Sequence, residues 1–343
     1  MPSRVNVLTC QFSGALHYPI CYDYKPDIMQ EKTRAFREQL FAGLIRKVQH
    51  VNPLFFIPSA GPPCFLDPAL AAYNDGPSTI FMQWSEVEAP FKTACPSVSP
   101  AYMGPGDLLD FNHRGAGVKR RQDAPVVTLE DYRLECQGEW SLLDTIDQSP
   151  VPDAELESYF HNMVGRHPHV FSHYPKEFTL HSGEVRRTII LHDGSTRCVN
   201  PEVSTNYTFT VPPPVLRMIV KGDTDWEVAI ASLKIRFSRR EDAYDSVLFY
   251  TLYDAARPAL TRAMVDALSA KDHVQMVERD GYCFQRTCPH AREDLTHGQI
   301  KDGILTCPRH FWQWDLKTGQ CVRGGKLPLK IGPAAPAKQV KAG

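Results

Sequence analysis

Two short segments near the carboxyl end, Cys288-Pro289-His290 and Cys307-Pro308-Arg309-His310, decide how this sequence is interpreted. The 16 residues 291–306 separate them. Each segment brings one thiol and one imidazole, so the candidate ligands follow the order Cys, His, Cys, His. A structural zinc site normally draws its sulfur from Cys-x2-4-Cys knuckles. The alternating order therefore indicates a redox cluster rather than a zinc knuckle.

The stretch from about residue 272 to 332 resembles the Rieske two-iron, two-sulfur domain. In that domain two cysteines hold one iron and two histidines hold the other. The resemblance implies a 2Fe-2S cluster whose ligands are Cys288, His290, Cys307 and His310. Zinc stays open as an alternative, because a Cys2His2 set can bind zinc where iron is scarce.

The sequence around the two segments fits the same resemblance. We expect a strand over Val274–Val277 and a turn at Asp280-Gly281, after which Tyr282-Cys283-Phe284 follows. After the second segment, Trp312–Asp315 should lead to a turn at Thr318-Gly319. These features predict an all-β domain over residues 271–335, with a tail at 336–343.

The subclass can be inferred from what is missing beside the ligands. Respiratory Rieske proteins carry a second cysteine pair that joins the two loops, but residues 291–294 and Arg309 supply no cysteine. Phe311 and Trp312 cannot donate a hydroxyl to the cluster sulfurs. Potentials across the class span roughly −150 to +300 mV. We expect the low end, which is the ferredoxin and oxygenase type.

Composition and charge are ordinary for a water-soluble protein. The 343 residues are 43% hydrophobic and 22% charged, with a formal net charge of −1. This balance gives no electrostatic reason to bind nucleic acid or an anionic membrane. The first residues lead into only about six apolar positions, far fewer than the ~20 that span a bilayer. Ten scattered cysteines do not make a disulfide framework, and we expect a cytoplasmic protein.

The first 60 residues show a strand, helix, strand pattern. Val5–Leu8 reads as a buried strand, and Phe36, Leu40, Leu44 and Val48 repeat at helical spacing until Asn52-Pro53. A second strand, Leu54–Ile57, follows. This order predicts a right-handed crossover in a mostly parallel sheet.

This region is similar to the second half of the metallo-β-lactamase-fold module found in CMP-N-acetylneuraminate hydroxylase and its bacterial relatives. The stretches that carry the likeness are Phe12-Ser13-Gly14-Ala15, Pro58-Ser59-Ala60-Gly61, Gly104-Pro105-Gly106-Asp107 and Leu216-Arg217-Met218-Ile219-Val220. The resemblance implies a truncated metallo-β-lactamase-like α/β segment over residues 1–120. In that family, an oxygen-dependent hydroxylation is coupled to a Rieske centre.

The sequence departs from that family where the metal should bind. The His-x-His-x-Asp-His segment belongs to the first half of the fold, and this chain does not contain it. Its His-x-His, His167-Pro168-His169, runs into Val170-Phe171 instead. Half of such a fold would also leave a sheet edge to be covered. We therefore expect a second protein subunit that carries the missing metal-binding half.

Residues 121–270 predict an α+β middle domain. Residues 65–150 read as irregular connections with a few strands. Leu156, Phe160 and Val164 mark a helix, and Asp193-Gly194 marks a hairpin. We expect a second helical stripe at Trp226, Ile230, Leu233 and Phe237. The family resemblance suggests a sterol-carrier-like fold that could enclose an apolar cavity.

The histidines His167, His169 and His173 are candidates for a mononuclear non-haem iron or another metal, because oxygenases often hold iron with two histidines and a carboxylate. The simpler interpretation is a polar surface loop, since no local spacing imposes that ligand set.

The resulting fold class is a multidomain α+β protein with a Rieske domain at its carboxyl end. The leading hypothesis is the Rieske-bearing component of a non-haem monooxygenase that hydroxylates a polar small molecule. Electrons would pass from a reductase or ferredoxin to an oxygen-activating metal shared with, or located on, the partner chain. The alternative is a stand-alone electron-transfer protein, and a third hypothesis is a ligand-binding redox sensor. No catalytic residue can be assigned.

Overall fold

A computed structural model describes residues 4–74, 76–110, 117–121, 128–136, 142–166, 170–171, 175–192, 195–199, 205–242, 244–253, 274–289, 293–309, 311–325 and 327–333. The chain divides into two compact units, residues 1–146 and 147–343. The predicted domain boundaries at 120, 270 and 335 stay predictions.

The first unit begins with the predicted strand, helix, strand order. The elements are β1 (Val7–Gln11), α1 (Pro26–Val51) and β2 (Phe55–Ser59). Strand β1 pairs with β2 in parallel, as predicted, while the right-handed sense of the crossover stays a prediction. Helix α1 starts at a proline, where a missing N–H costs nothing, and ends at Asn52, whose φ of 46° is left-handed.

Helices that we did not expect lie between residues 65 and 150. The longest of the α-helices described there, α2 (Trp84–Ala94), leads into β3 (Ser99–Pro100), which pairs in parallel with β2. Pro90 lies inside α2 and hid the helix from sequence reasoning. The carboxylate of Glu86 accepts the N–H of Gln83 at 2.8 Å and binds Arg37 of α1 at 2.7 Å.

The core of this unit lies between the helices and the sheet. Its buried members come from α1, α2, the strands and the loops that join them: Phe12, Leu44, Val48, Phe56, Met82, Trp84, Val87, Phe91, Cys95 and Val98. A short 3₁₀ helix precedes α2 at Pro68–Tyr73. The unit also contains β4 (Leu108–Asp110), β5 (Gly117–Lys119), α3 (Leu129–Glu135) and α4 (Leu142–Thr145). The parallel sheet agrees with an α/β segment, while a metallo-β-lactamase fold stays a prediction.

The second unit opens with the α+β region that the sequence predicts. Its elements are α5 (Asp153–Arg166), β6 (Lys176–Ser182), β7 (Val185–His192), β8 (Ser195–Val199), β9 (Tyr207–Thr210), α6 (Pro213–Lys221), α7 (Trp226–Ala231), β10 (Arg236–Arg239) and α8 (Ser246–Leu252). The strands form one sheet in the order β10-β9-β6-β7-β8. Only the β6–β9 pair is parallel.

The prediction of one helix with apolar residues from Trp226 to Phe237 was correct for its first half and wrong for its second half. Helix α7 ends at Ala231, and Leu233 then takes a φ of 58°. The N–H of Lys234 bonds back to the carbonyl of Ala229 at 3.1 Å, which closes the helix. Phe237 lies on β10 instead, because the buried positions change from helical to alternating spacing.

One face of the five-stranded sheet carries the aromatic core. Phe178 and Phe209 lie 4.8 Å apart between ring centroids, and Phe160 of α5 packs on Phe178 at 5.7 Å. An apolar recess bordered by Leu156, Leu180 and their neighbours measures about 10 Å³. That volume holds about one water molecule. The recess therefore does not provide the apolar cavity that a sterol-carrier-like fold suggested.

The carboxyl-terminal part of this unit is all β, as predicted. Its strands are β11 (Met276–Arg279), β12 (Tyr282–Gln285), β13 (Gln299–Lys301), β14 (Ile304–Thr306), β15 (Gln313–Asp315), β16 (Cys321–Arg323) and β17 (Ile331–Gly332). They form a three-stranded sheet, β11-β12-β17, and a four-stranded sheet, β13-β14-β15-β16. Asp280 and Gly281 make the predicted turn with φ values of 52° and 80°. Among the helices that the structure describes in either unit, none combines the length and apolar character that crossing a membrane requires.

The packing of α2 gives the first prediction. Phe91 is fully buried between Phe56 and Trp84, so Phe91→Ala should lower the free energy of unfolding by about 3–5 kcal/mol. Thr93→Ala, two residues away and exposed, should change it by less than about 0.5 kcal/mol. Urea unfolding followed by circular dichroism measures both, and equal midpoints would show that α2 does not carry the core.

Candidate metal centre

The two cysteines of the candidate site stand on loops that follow strands of two different sheets. Cys288 follows β12, and Cys307 directly follows β14. Their exposed fractions are 1% and 0%. Both belong to one buried cluster, together with Phe284, Leu295, Leu305, Trp312, Trp314, Leu316 and Leu329. The structure thus places in one buried core two cysteines that lie 19 positions apart in the sequence.

The first loop is closed by its own backbone. The N–H of Cys288 donates to the carbonyl of Glu293 at 2.7 Å, and the N–H of Leu295 donates to the carbonyl of Arg286 at the same distance. A β-bridge joins Thr287 to Asp294. These contacts hold Cys288 at the end of a tight reversal of the chain.

Asp294 is the side chain that braces the first loop, and sequence reasoning missed it. Its carboxylate accepts the N–H of Thr296 at 2.8 Å and pairs with Arg286 at 2.9 Å. Hydrogen bonds from Thr296, and then the guanidinium of Arg286, lower the pKa of Asp294 to about 2. A local sequence signal for this role existed, because an aspartate directly before a helical turn is a typical N-cap, and Asp294 caps the 3₁₀ turn Leu295–His297.

The second loop reverses within five residues. The N–H of Phe311 donates to the carbonyl of Cys307 at 3.1 Å, and the N–H of Cys307 donates to the carbonyl of Trp312 at 2.8 Å. Phe311 has a φ of 60°, in the left-handed region that few non-glycine residues adopt. The loop keeps this conformation because both of its ends are hydrogen-bonded to each other.

A charged contact joins the two loops. A guanidinium nitrogen of Arg309 lies 3.5 Å from a carboxylate oxygen of Glu293. No disulfide bond joins the loops, because all ten cysteines lie in described parts of the chain and none forms one. Glu293 nevertheless links the two loops: its carbonyl accepts the N–H of Cys288 in the first, and its carboxylate reaches Arg309 in the second. The pair is partly exposed, so it contributes about 0–1 kcal/mol.

Trp312 connects the loops to the rest of the unit. A Cβ on Gly325 would overlap the ring of Trp312, so only glycine fits there. The N–H of Tyr244 donates to the carbonyl of Gly324 at 3.0 Å, and the Tyr244 ring lies 6.5 Å from that of Trp312. Tyr244 also stacks on Phe249 of α8 at 4.8 Å. The all-β part is thereby packed against the α+β part of the same unit.

The donor chemistry of this centre fits an iron-sulfur cluster. Its two cysteines lie on separate braced loops within one buried apolar cluster, and a Rieske cluster takes two thiolates on one of its irons. The thiol of Cys321 bonds to the carbonyl of Arg323 at 3.2 Å, and burial raises its pKa. Burial, and next the negative charge of Asp153, raises the pKa of Cys198 to about 12.

The five histidines of the candidate sites lie outside the described residues: His290, His310, His167, His169 and His173. Within the described part of the chain, no three side chains of His, Cys, Asp or Glu gather as a metal site. The histidine assignments therefore stay predictions.

Asp294 gives a prediction with a defined pH dependence. Because the pKa is about 2 in the folded chain and 3.8 ordinarily, the brace should stabilise the fold fully above pH 3.8. It should fade as the pH falls from there towards 2. Asp294→Ala should cost about 1 kcal/mol at pH 7, whereas Asp294→Asn, which keeps the cap, should cost less. Thermal unfolding measures this, and a gap between wild type and Ala that persists unchanged at the lowest pH would contradict it.

Comparison with known proteins agrees with this geometry. Residues 262–330 match the family model of the Rieske [2Fe-2S] domain. The chain is 25% identical over 350 residues to a Rieske 2Fe-2S iron-sulfur protein of Mycolicibacterium smegmatis. That alignment covers 93% of this chain, which spans 65% of the relative's length.

Two further similarities are confined to shorter stretches. Aminopyrrolnitrin oxygenase PrnD of Pseudomonas fluorescens is 46% identical over 39 residues, 11% of this chain and 10% of that protein. The ferredoxin component of the alkene monooxygenase system of Xanthobacter autotrophicus is 29% identical over 73 residues, 20% of this chain and 60% of that protein. The chain carries a Rieske domain at residues 262–330, and that domain indicates a 2Fe-2S cluster.

Proposed function

We propose that this chain is the Rieske-bearing component of a non-haem oxygenase that hydroxylates a polar small molecule. It relays electrons from a reductase or ferredoxin to an oxygen-activating metal. The observation that carries the proposal is the pair of buried thiols, Cys288 and Cys307, held on two braced loops in one apolar core. The similarity to aminopyrrolnitrin oxygenase PrnD supports the oxygenase context.

In this proposal Cys288 and Cys307 hold one iron, and His290 and His310 hold the other. The cluster supplies one-electron transfer. The chain does the rest: the backbone bonds of Cys288 and Cys307 fix the loops, and the buried side chains of Leu295 and Trp312 keep water from the thiolates. We expect a low potential, because Phe311 and Trp312 beside the second loop cannot donate a hydroxyl to the cluster sulfurs.

The oxygen-activating metal is, in this proposal, shared with or located on a second subunit that carries the missing metal-binding half of the fold. The sequence lacks His-x-His-x-Asp-His. Strand β1 also stands at the edge of the three-stranded sheet β1-β2-β3. An edge strand presents unpaired backbone groups, which makes it a natural place for a strand of another chain to add.

A second candidate function is a stand-alone Rieske electron-transfer protein. The similarity to a ferredoxin component over 73 residues favours it. The two functions share the cluster and differ in whether this chain, with its partner, consumes oxygen.

The ligand assignment predicts that Cys288→Ala and Cys307→Ala each abolish the cluster. Both variants should lose acid-labile sulfide, visible absorption and the paramagnetic resonance signal after reduction by dithionite. Cys321→Ala is the matched control, because Cys321 also packs against the same core but already bonds to Arg323. It should retain the full signal. A colourless wild type that contains zinc and no sulfide would refute the assignment.

The location of the oxygen-activating metal predicts the iron content of the purified full chain. We expect two irons and two sulfides per chain, and no oxygen consumption by the reduced chain beyond its own reoxidation. The triple variant His167→Ala, His169→Ala, His173→Ala should keep the same iron content. A third iron that this variant loses would place the metal in this chain and remove the need for a second subunit.

A further inference from the structure

The five-stranded sheet of the second unit has a polar face opposite its aromatic core. Side chains of Ser238, Thr208, Thr179 and Thr188 are register neighbours on the successive strands β10, β9, β6 and β7. Register neighbours point to the same side of a sheet, so these hydroxyls form a row across four strands. None of the functions predicted from the sequence uses this row of hydroxyl groups.

A polar cavity of about 250 Å³ lies over this face. Its hydroxyl-bearing walls come from Thr179, Thr205, Thr208 and Ser238. Arg186 of β7 and Arg240, which follows β10, complete it together with the amide of Asn206. Among the lining residues that the structure describes, two are arginines and none is a carboxylate.

The two arginines are available to a ligand. Within the described ranges, neither Arg186 nor Arg240 has a carboxylate partner for its guanidinium. A guanidinium without a partner binds an oxyanion through paired, charge-assisted hydrogen bonds. The carbonyl oxygen of the Asn206 side chain is occupied by the N–H of Glu241 at 2.9 Å, so its NH2 group is its donor towards the cavity.

The floor of the cavity has the opposite character. Thr205 donates its hydroxyl proton to the carbonyl of Tyr207 at 2.7 Å and lies 2.8 Å from the hydroxyl of Thr179. A hydroxyl has one proton, so Thr179 must donate to Thr205. Both residues are buried: Thr179 is 2% exposed and Thr205 is 6% exposed. The floor therefore offers oxygen lone pairs, and it suits a ligand that donates from its own hydroxyl groups.

We propose that this cavity binds a small hydroxylated molecule that carries an oxyanion, of the sugar-phosphate or sugar-acid class. The oxyanion lies between Arg186 and Arg240, and the ligand's hydroxyl groups face Thr179 and Thr205. The volume lies just below the range of about 300–1,000 Å³ for drug-sized ligands, which matches a single sugar ring. This inference goes beyond electron relay and does not rest on it.

The test is calorimetric titration of the full chain with glucose 6-phosphate, inorganic phosphate and glucose in a phosphate-free buffer. Glucose 6-phosphate should bind saturably and at least tenfold more tightly than either of the other two. Arg186→Gln and Arg240→Gln should each weaken its binding about tenfold. Ser238→Asp, which adds a carboxylate to the wall, should abolish binding. Thr179→Val should weaken glucose 6-phosphate and leave inorganic phosphate unchanged.

The matched control is Arg197→Gln, because Arg197 is exposed on β8 of the same sheet and does not line the cavity. It should bind as the wild type does, and circular dichroism shows whether each variant is folded. Three results would overturn the proposal: no saturable binding, equal binding of glucose and glucose 6-phosphate, or equal weakening by Arg197→Gln. Equal affinity for phosphate and glucose 6-phosphate would overturn the role of the floor. Loss of the cluster in the cysteine variants leaves this titration unaffected, so the two proposals fail separately.

Discussion

The burial of two thiols in one apolar core is the constraint on which the carboxyl-terminal part of this chain depends. A polar group inside such a core is costly unless it is bonded. The chain meets this cost through its backbone, because the N–H of each cysteine finds a carbonyl within its own loop. The same bonds that satisfy the backbone also fix where the sulfurs stand. The stability of the two loops and the positions of the two sulfurs therefore have the same physical origin.

Much of the fold could be predicted from local patterns. The parallel strand, helix, strand unit followed from the apolar spacing before Asn52-Pro53, and the Asp280-Gly281 turn followed from its residue types. Prediction failed where one signal masked another. Pro90 hid helix α2, although Trp84, Val87 and Phe91 repeat at helical spacing. The stripe to Phe237 misled because Leu233 ends the helix with a left-handed backbone that its residue type does not announce.

The candidate site was likewise open to prediction only where its sequence signal is local. The sequence singled out the two cysteines as candidate ligands, since their spacing is a local pattern. It could not reveal Glu293 with Arg309, or Tyr244 against Trp312, because these contacts join residues that only the fold brings together. The five-stranded sheet of the second unit shows a similar limit of sequence-based prediction. We expected its apolar face to line a cavity, but aromatic rings such as Phe160, Phe178 and Phe209 fill that side. Space remains on the hydroxyl-rich side instead.

The Tyr244 contact limits how the carboxyl-terminal sheets can move. Its backbone pairs with Gly324 and Gly325, while its ring lies close to both Phe249 and Trp312. Any rotation of these sheets away from the α+β part would have to break contacts on both sides of the tyrosine at once. For the electron relay proposed above, this packing favours a cluster held in one position, so that donor and acceptor proteins would have to come to it.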